Sequence, residues 1–567
     1  MIRIGTGRVV GFIALLLGVV IFLCLPLSGR IAWGASGASS GDVLLETKTF
    51  SYRIDSTGKN IAFIDRASGR DYLKKDVMDN DRVCALVVKD GKTLCPTRVS
   101  FAKSVLKFEF PGGITASVAV TIRDDRLVLQ VQNVSGEPDS FAFVNVILSL
   151  DAKPTEPFAA CCLSLNPHTH VHQLPALHSK LWAACYKRFE LKDAKAAIIG
   201  VPQKSILTTI RDTMKTDAVD MPISTKGGAW AIDSPDGYGS YLMNFGTINE
   251  ENVDQAIKLC KMLGFTQIDI RGLDTLDPTG KRPFHFLYGS YELNKKNFPD
   301  GWKSFKRMVD RLKSNGISVI LHHYSAFISR DSNLVTPIPH PDLDIISSFT
   351  LAEPIDEKAT EIVVKESTRD VSTGQGYVHV GNRTVRIGNE IIEFTDVTRE
   401  APFKFTGCTR GFHGTHVAAH AAGSQVGFLK TFWRTMYVAR PDSKLYYDMA
   451  RQAAQIANEC ELDGIYLDAI EGMKYMWGEE NYWYYGGQFV FELMKNLKRP
   501  IGLEYAGMTH HWWHYRSRYQ AWDMVCRGYK RFIDIHMTSM KEGVEHQHGF
   551  WNGSIADIEK YGSMKGS

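Results

Sequence analysis

From about residue 226 the chain alternates strand and helix signals, and this alternation constrains its fold more than any other feature. Ser240-Tyr-Leu-Met-Asn-Phe245 reads as a strand and 250–263 as an amphipathic helix. The strands Gln267-Ile-Asp-Ile-Arg271, Ile317-Ser-Val-Ile-Leu-His322, Gly464-Ile-Tyr-Leu-Asp468 and Ile501-Gly-Leu-Glu504 follow, with helical stretches at 300–314, 441–460 and 486–497. Repeated β-α-β units imply a parallel sheet covered by helices. Barrel and open sheet share that pattern; polar chemistry gathered at successive strand C-termini favours a (β/α) barrel of the TIM type. A sixth strand is expected near 519–526 or 532–536. Few residues remain for two further units, so the barrel is expected to be incomplete at its C-terminus.

What precedes and interrupts this region reads differently. Residues 41–215 carry short alternating runs such as Ser117-Val-Ala-Val-Thr-Ile122 and Arg126-Leu-Val-Leu-Gln-Val-Gln132, divided by Asp90-Gly91 and Gly112-Gly113. Such spacing predicts a β-sandwich. The expected organisation is a leader at 1–38, a sandwich domain at 41–225, barrel segments at 226–344 and 429–567, and a small β-module inserted at 345–428. The insert carries Gly388-Asn-Glu-Ile-Ile-Glu-Phe394, Gly407-Cys-Thr-Arg-Gly-Phe412 and His416-Val-Ala-Ala-His420. These residues resemble a small β-module of phage and bacterial surface proteins, which implies an accessory or interaction role. Its His379, His413, His416 and His420 are read as solvated loop residues, not metal ligands.

At 567 residues the chain exceeds what one core supports, and its 44% hydrophobic and 23% charged content is that of a globular protein. Arg3 and Arg8 precede an apolar run from Val9 to Leu27, followed by small residues around Ala35-Ser-Gly-Ala38. This reads as an export leader, either cleaved or kept as an anchor, and places the protein outside the cytoplasm: secreted, periplasmic or at the cell surface. Without the three arginines of that segment the formal charge of +4 becomes +1, which argues against a nucleic-acid surface. A membrane is a partner only if the leader is retained. Nine cysteines lie beyond the leader, without zinc-type spacing. A disulfide between Cys84 and Cys95 is one reading; free thiols are the other. No metal or cofactor site is expected.

The chemistry-bearing residues cluster at strand ends. Asp468 closes an apolar strand, with Glu471 three residues on, and Glu504 with Tyr505 closes the next. Two carboxyls on consecutive strand ends suit cleavage of a glycosidic bond, one attacking the anomeric carbon and the other protonating the leaving oxygen. The structural alternative is helix capping or ion pairing. Asp269 and Arg271 could bind sugar hydroxyls or pair within the barrel. His323 is read as a hydroxyl ligand, with a satisfied core histidine as the alternative, and Tyr324 as its neighbour in the site. Trp477 and Trp512 are candidates to stack on pyranose rings, or core aromatics. The run His510-His-Trp-Trp-His514 suggests the rim of a site.

Gly264-Phe-Thr-Gln-Ile-Asp-Ile-Arg271, Phe298-Pro-Asp-Gly-Trp-Lys-Ser-Phe305 and Gly464-Ile-Tyr-Leu-Asp468 resemble segments of retaining α-glycosidases that carry a mutarotase-like sandwich before the barrel, the α-galactosidase-like and endo-α-N-acetylgalactosaminidase-like enzymes. The resemblance covers about 230–345 and 428–535. It implies Asp468 as nucleophile. In the second group the acid/base ends strand five, where Glu504 stands; in the first it comes from strand six. An oligo- or polysaccharide would then be the substrate. Two rivals remain at this point. A polysaccharide lyase would use Tyr324 or a histidine as base with Arg271, Arg516 or Lys474 neutralising a uronate. A non-catalytic carbohydrate-binding surface protein would rely on the insert and the aromatics.

Overall fold

The computed structural model describes residues 41–150, 156–171, 180–234, 241–244, 247–272, 284–372, 383–432, 436–505, 509–519 and 550–553. The leader lies outside them, and with it the question of export. Among the described residues no helix is long and apolar enough to cross a membrane.

The N-terminal part holds a six-stranded and a five-stranded antiparallel sheet and a three-stranded meander around one core that includes Phe63, Val118, Val131, Phe141 and Val146. The strand Phe158–Ser164 shows how this core meets the rest. Phe158, Ala160 and Cys162 join the sandwich core, while Ala159, Cys161 and Leu163 join the core shared with the α/β region. Side chains alternate across a strand, so a sheet buried on both faces requires an unbroken apolar run, and the adjacent cysteines face opposite sides. One expectation fails here. The region does not stay all-β: it ends in the helix Ile206–Asp217, held by Arg126, which is buried and donates to Asp217 and Asp212. Cys84 and Cys95 are not bonded, and the eight described cysteines are free thiols.

Among the described residues the α/β region supplies seven parallel strands: β1 (Tyr241–Asn244), β2 (Gln267–Ile270), β3 (Ser318–His323), β4 (Gly464–Leu467), β5 (Gly502–Tyr505), β6 (Arg518–Tyr519) and β7 (Phe550–Gly553). They are hydrogen-bonded in chain order from β1 to β6, and β7 returns beside β1. That cyclic order is the one a barrel uses. Among the described residues β6 and β7 are not joined, so the sheet is open there. The expected shortage of strands is partly relieved by β7, whose Phe-Trp-Asn-Gly sequence gave no signal. Helices α1 (Val253–Leu263), α2 (Trp302–Ser314), α3 (Lys444–Glu459) and α4 (Tyr482–Asn496) connect them. α1 ends at Gly264, whose φ of +75° is the left-handed cap that glycine adopts without strain.

The insert leaves after β3. Its sheets, four- and three-stranded, enclose a separate core that includes Phe349, Ile362, Val385, Phe405 and Phe428. The motif that marked it has a physical basis. Glu390 is fully buried and accepts two bonds from Arg410, one from the Gly411 N–H and one contact from His420 Nε2, at 2.7–2.9 Å. His420 is therefore part of a buried ion cluster, not a solvated loop residue, while His416 is exposed and His379 lies outside the described residues. Removing one partner of such a cluster strands the other's charge. Glu390→Gln should cost about 3–5 kcal/mol and give the insert its own early transition in calorimetry; a single unchanged transition contradicts this.

Candidate active site

The register of β2–β5 sorts their residues onto two faces. Asp269 pairs with Ile320, Ile320 with Gly464, His322 with Tyr466, and Tyr466 with Glu504. In-register residues share a face, so Gln267, Asp269, Arg271, His322, Tyr466, Asp468 and Glu504 all point to one side. Ile268, Ile270, Val319, Leu321, Ile465, Leu467 and Leu503 occupy the other and join the core beneath the helices. The polar residues were placed at strand ends by the sequence; in the fold they form one polar sheet face.

Asp468 follows the last residue of β4 and is the focus of this face. Its Oδ1 accepts from the Tyr466 hydroxyl at 2.9 Å and from the Ala469 N–H at 2.8 Å. Its Oδ2 lies 3.0 Å from His322 Nε2 and 3.5 Å from Arg271 Nη2. Burial by itself would raise the carboxyl's pKa; the His322 hydrogen bond, the Arg271 charge and the Tyr466 hydroxyl outweigh it and hold the pKa below the ordinary value. Asp468 is thus an ionised carboxylate, and its side chain keeps 17% exposure. It caps no helix. The next residue, Ala469, sits at φ +57°, ψ +12°, a left-handed conformation that disfavours a residue with a Cβ. Strain of this kind concentrates at functional positions.

Around this carboxylate, Tyr288 Oη lies 2.9 Å from His322 Nδ1 and accepts from the Gly272 N–H. Tyr324 packs on Tyr288 and His322 with ring centroids 4.3 and 4.8 Å apart. The Arg271 backbone is fixed by His285, whose Nδ1 contacts its carbonyl at 2.6 Å while Nε2 accepts from Ile248 N–H. Sequence reasoning missed His322, Tyr288, Tyr466 and His285. For Tyr466 the signal was present: it lies two positions before Asp468 on the same strand, hence on the same face, whereas the facing of His322 depends on the register with the neighbouring strand.

Glu504 shares the face of Asp468 at a lower level of the sheet. It is in register with Tyr466, two residues below Asp468, a drop of about 6–7 Å at the usual strand rise. It is buried and lines a small cavity with Gln267, Ser318, Gly464, Gly502 and Ser517, toward the strands' N-terminal ends. Asp463, at the opposite end of β4, is ion-paired with Lys313 at 3.1 Å. Glu471 is half-buried in the turn after Ala469.

Several anticipated sugar ligands lie elsewhere. His323 faces the helix side, stacked on Tyr291 with centroids 4.7 Å apart, and its Nδ1 accepts from Ser325 N–H. Tyr505 and Trp512 are fully buried, joined by the Tyr505 hydroxyl donating to the Trp512 carbonyl. Trp477 is buried and donates to Asp344, which also binds Lys430, at 3.1 and 2.8 Å; it clamps the base of the insert. The reason is common to all four: they belong to the outward period of a strand or the inward stripe of a helix. The His510–His514 run is not a rim. It is the buried joint between sandwich and α/β region, where His510 Nε2 meets the Thr169 carbonyl, His511 Nε2 meets Ser164 Oγ, and His170 stacks on Trp483 at 4.4 Å. Gly227 permits the closest approach, since a Cβ there would lie 2.3 Å from the Tyr515 carbonyl.

No family model and no curated protein matches the chain. Solved structures do show likeness. An α-galactosidase of Lactobacillus brevis is 10% identical, over 89% of this chain and 75% of that one, with a TM-score of 0.40. The α-galactosidase AgaA of Geobacillus stearothermophilus is 9% identical over 88% and 77%, with a TM-score of 0.41. The α-N-acetylgalactosaminidase NagBb of Bifidobacterium bifidum is 8% identical over 83% and 77%, with a TM-score of 0.40. At such identities and scores the functional reading rests on the site's own residues.

Proposed function

We propose that this protein is an exported retaining glycoside hydrolase acting on α-linked oligo- or polysaccharide, with Asp468 as nucleophile. The observation that carries the reading is the Asp468 carboxylate: ionised, partly exposed, fixed by donors on both oxygens, and seated at a parallel strand's C-terminal end beside a strained residue. In a (β/α) barrel that is where reacting groups are held. In the first step Asp468 Oδ attacks the anomeric carbon as the glycosidic C–O bond breaks, and a second carboxyl passes its proton to the departing oxygen. In the second step that carboxylate takes a proton from water, whose oxygen displaces Asp468 and releases the sugar.

Two acids compete for the donor's role. Glu504 was the first candidate, but its register sets it deep, over the lower cavity. Asp523, outside the described residues, follows β6 by four residues in the sequence and is the second candidate. A leaving-group test separates them. Asp523→Ala should lower hydrolysis of unactivated glycosides by about 10²–10⁴-fold, leave activated aryl glycosides much less affected, and regain turnover with azide. Glu504→Ala should chiefly lower the melting temperature. The reverse pattern assigns the role to Glu504. A lyase has less support: Arg516 is buried, and Lys474 is partly exposed and paired with Glu479.

A further inference from the structure

Tyr288 belongs to the loop after β2, not to any strand, yet it reaches the carboxylate through one imidazole. We infer that Tyr288 is a positioning residue that holds His322 in the tautomer whose Nε2–H donates to Asp468. The inference rests on the proposed role of Asp468 for its kinetic consequence, though not for its structural content.

The hydrogen-bond directions follow from what each atom can do. The Gly272 N–H can only donate, and it points at Tyr288 Oη at 2.9 Å. Tyr288 therefore has an oxygen lone pair engaged and one O–H to place, and His322 Nδ1 stands 2.9 Å away. With Nδ1 as acceptor, a neutral imidazole carries its proton on Nε2. That atom lies 3.0 Å from Asp468 Oδ2, which in the ionised carboxylate can only accept. The imidazole is fully buried, and burial together with the Arg271 charge favours its neutral form. The chain Gly272 N–H, Tyr288 O–H, His322 N–H, Asp468 then runs donor to acceptor, while the Arg271 Nη2 N–H, which can only donate, must turn from the Nε2–H to Asp468 Oδ2 at 3.5 Å.

A competing arrangement exists, which is why Tyr288 matters. Arg271 Nη2 stands 2.7 Å from the same Nε2. Were the proton on Nδ1, His322 would donate to Tyr288 and accept from Arg271, and its lone pair would face the Asp468 carboxylate. The hydroxyl of Tyr288 biases the choice by offering its O–H to Nδ1. Packing holds the phenol in place to do so, because Tyr288 is 1% exposed, with its ring against Tyr324, Phe286 and Tyr291. An O–H donated to Nδ1 also resists protonation there, since imidazolium has no lone pair to accept it.

The test has an arm that needs no substrate. In the histidine-¹⁵N-labelled full chain, His322 signals are assigned by their loss in His322→Gln. Between pH 6 and 8 the wild type is expected to show Nδ1 bare and Nε2 protonated. A protonated Nδ1 overturns the inference whether or not the protein hydrolyses glycosides. The kinetic arm uses Tyr288→Phe and an activated aryl α-glycoside: kcat should fall about 10- to 100-fold, as loss of an outer-shell partner does, with KM little changed. The acid limb of the pH profile should move to higher pH. An unchanged kcat and acid limb contradict it. If Tyr288→Phe fails to fold, the wild-type spectrum still decides. If the spectrum is as expected and no glycoside is hydrolysed, the proposed function fails and the tautomer assignment stands.

Discussion

Asp468→Asn is expected to lower glycoside hydrolysis by about 10⁴-fold or more, the largest effect of any single change in this protein. Asparagine keeps the shape and an acceptor for the Tyr466 hydroxyl and the Ala469 N–H. It removes the negative charge that faces His322 and Arg271 and has no carboxylate to form a glycosyl ester. Substrate binding should survive, so an inactive variant that still binds oligosaccharide in calorimetric titration is the anticipated pattern. If Asp468→Asn keeps more than a tenth of wild-type turnover, another residue attacks. If wild type and variant bind sugar alike and neither hydrolyses any glycoside, the protein is the non-catalytic carbohydrate binder considered from sequence.

The second large effect is loss of stability in weak acid. Six buried histidines have pKa values displaced below the ordinary 6.5, with burial the leading cause in each. His285 and His322 fall to about 4, His323 and His514 to about 3, and His510 and His511 lie well below normal. Geometry agrees: His285 and His323 each accept a backbone N–H on a ring nitrogen, which the protonated ring cannot do. A histidine whose folded pKa is depressed binds fewer protons folded than unfolded. Its contribution is whole above pH about 6.5 and is lost as pH falls from there toward the folded value. Each unit corresponds to about 1.4 kcal/mol, so several such groups remove a sizeable part of a stability on the order of 5–15 kcal/mol. Urea midpoints should fall steeply from pH 6.5 to 4.5. Carboxylates held low, such as Asp217, Glu390 and Asp468, lose their share only below that window. A flat midpoint across it would show that these histidines are protonated without cost.

The strand order of the α/β region was legible because parallel strands are short, apolar and spaced by amphipathic helices. The strands β2 to β5 lie where the alternation put them. Asp468 was legible for the same reason, as an acid ending an apolar strand. What could not be read was facing. His322 and His323 differ by one position, and only the ladder register decides which meets Asp468; the sequence favoured the wrong one. Tyr505, Trp512 and Trp477 follow catalytic-looking acids, yet the first two complete a helix–strand contact and Trp477 packs between helices at the base of the insert, since large aromatics bury more apolar area than any other side chain. Tyr288 was invisible because its role depends on a loop folding back over β3, a contact no local pattern encodes. The helix Ile206–Asp217 was missed because Thr-Thr-Ile and its surroundings carry β-favouring residues; burial of Ile206, Ile210 and Met214 decides in favour of helix.

The central claim, covalent attack by Asp468, is tested most directly by trapping. The full-length protein would be incubated with a panel of 5-fluoro-α-glycosyl fluorides, whose glycosyl esters form faster than they hydrolyse, then digested and read by mass spectrometry. One sugar of the panel should add its mass to the peptide carrying Asp468, with fragmentation placing it on that side chain and Asp468→Asn abolishing it. A label on a different carboxyl, or steady hydrolysis of an α-glycoside with no ester formed at Asp468, would contradict the account.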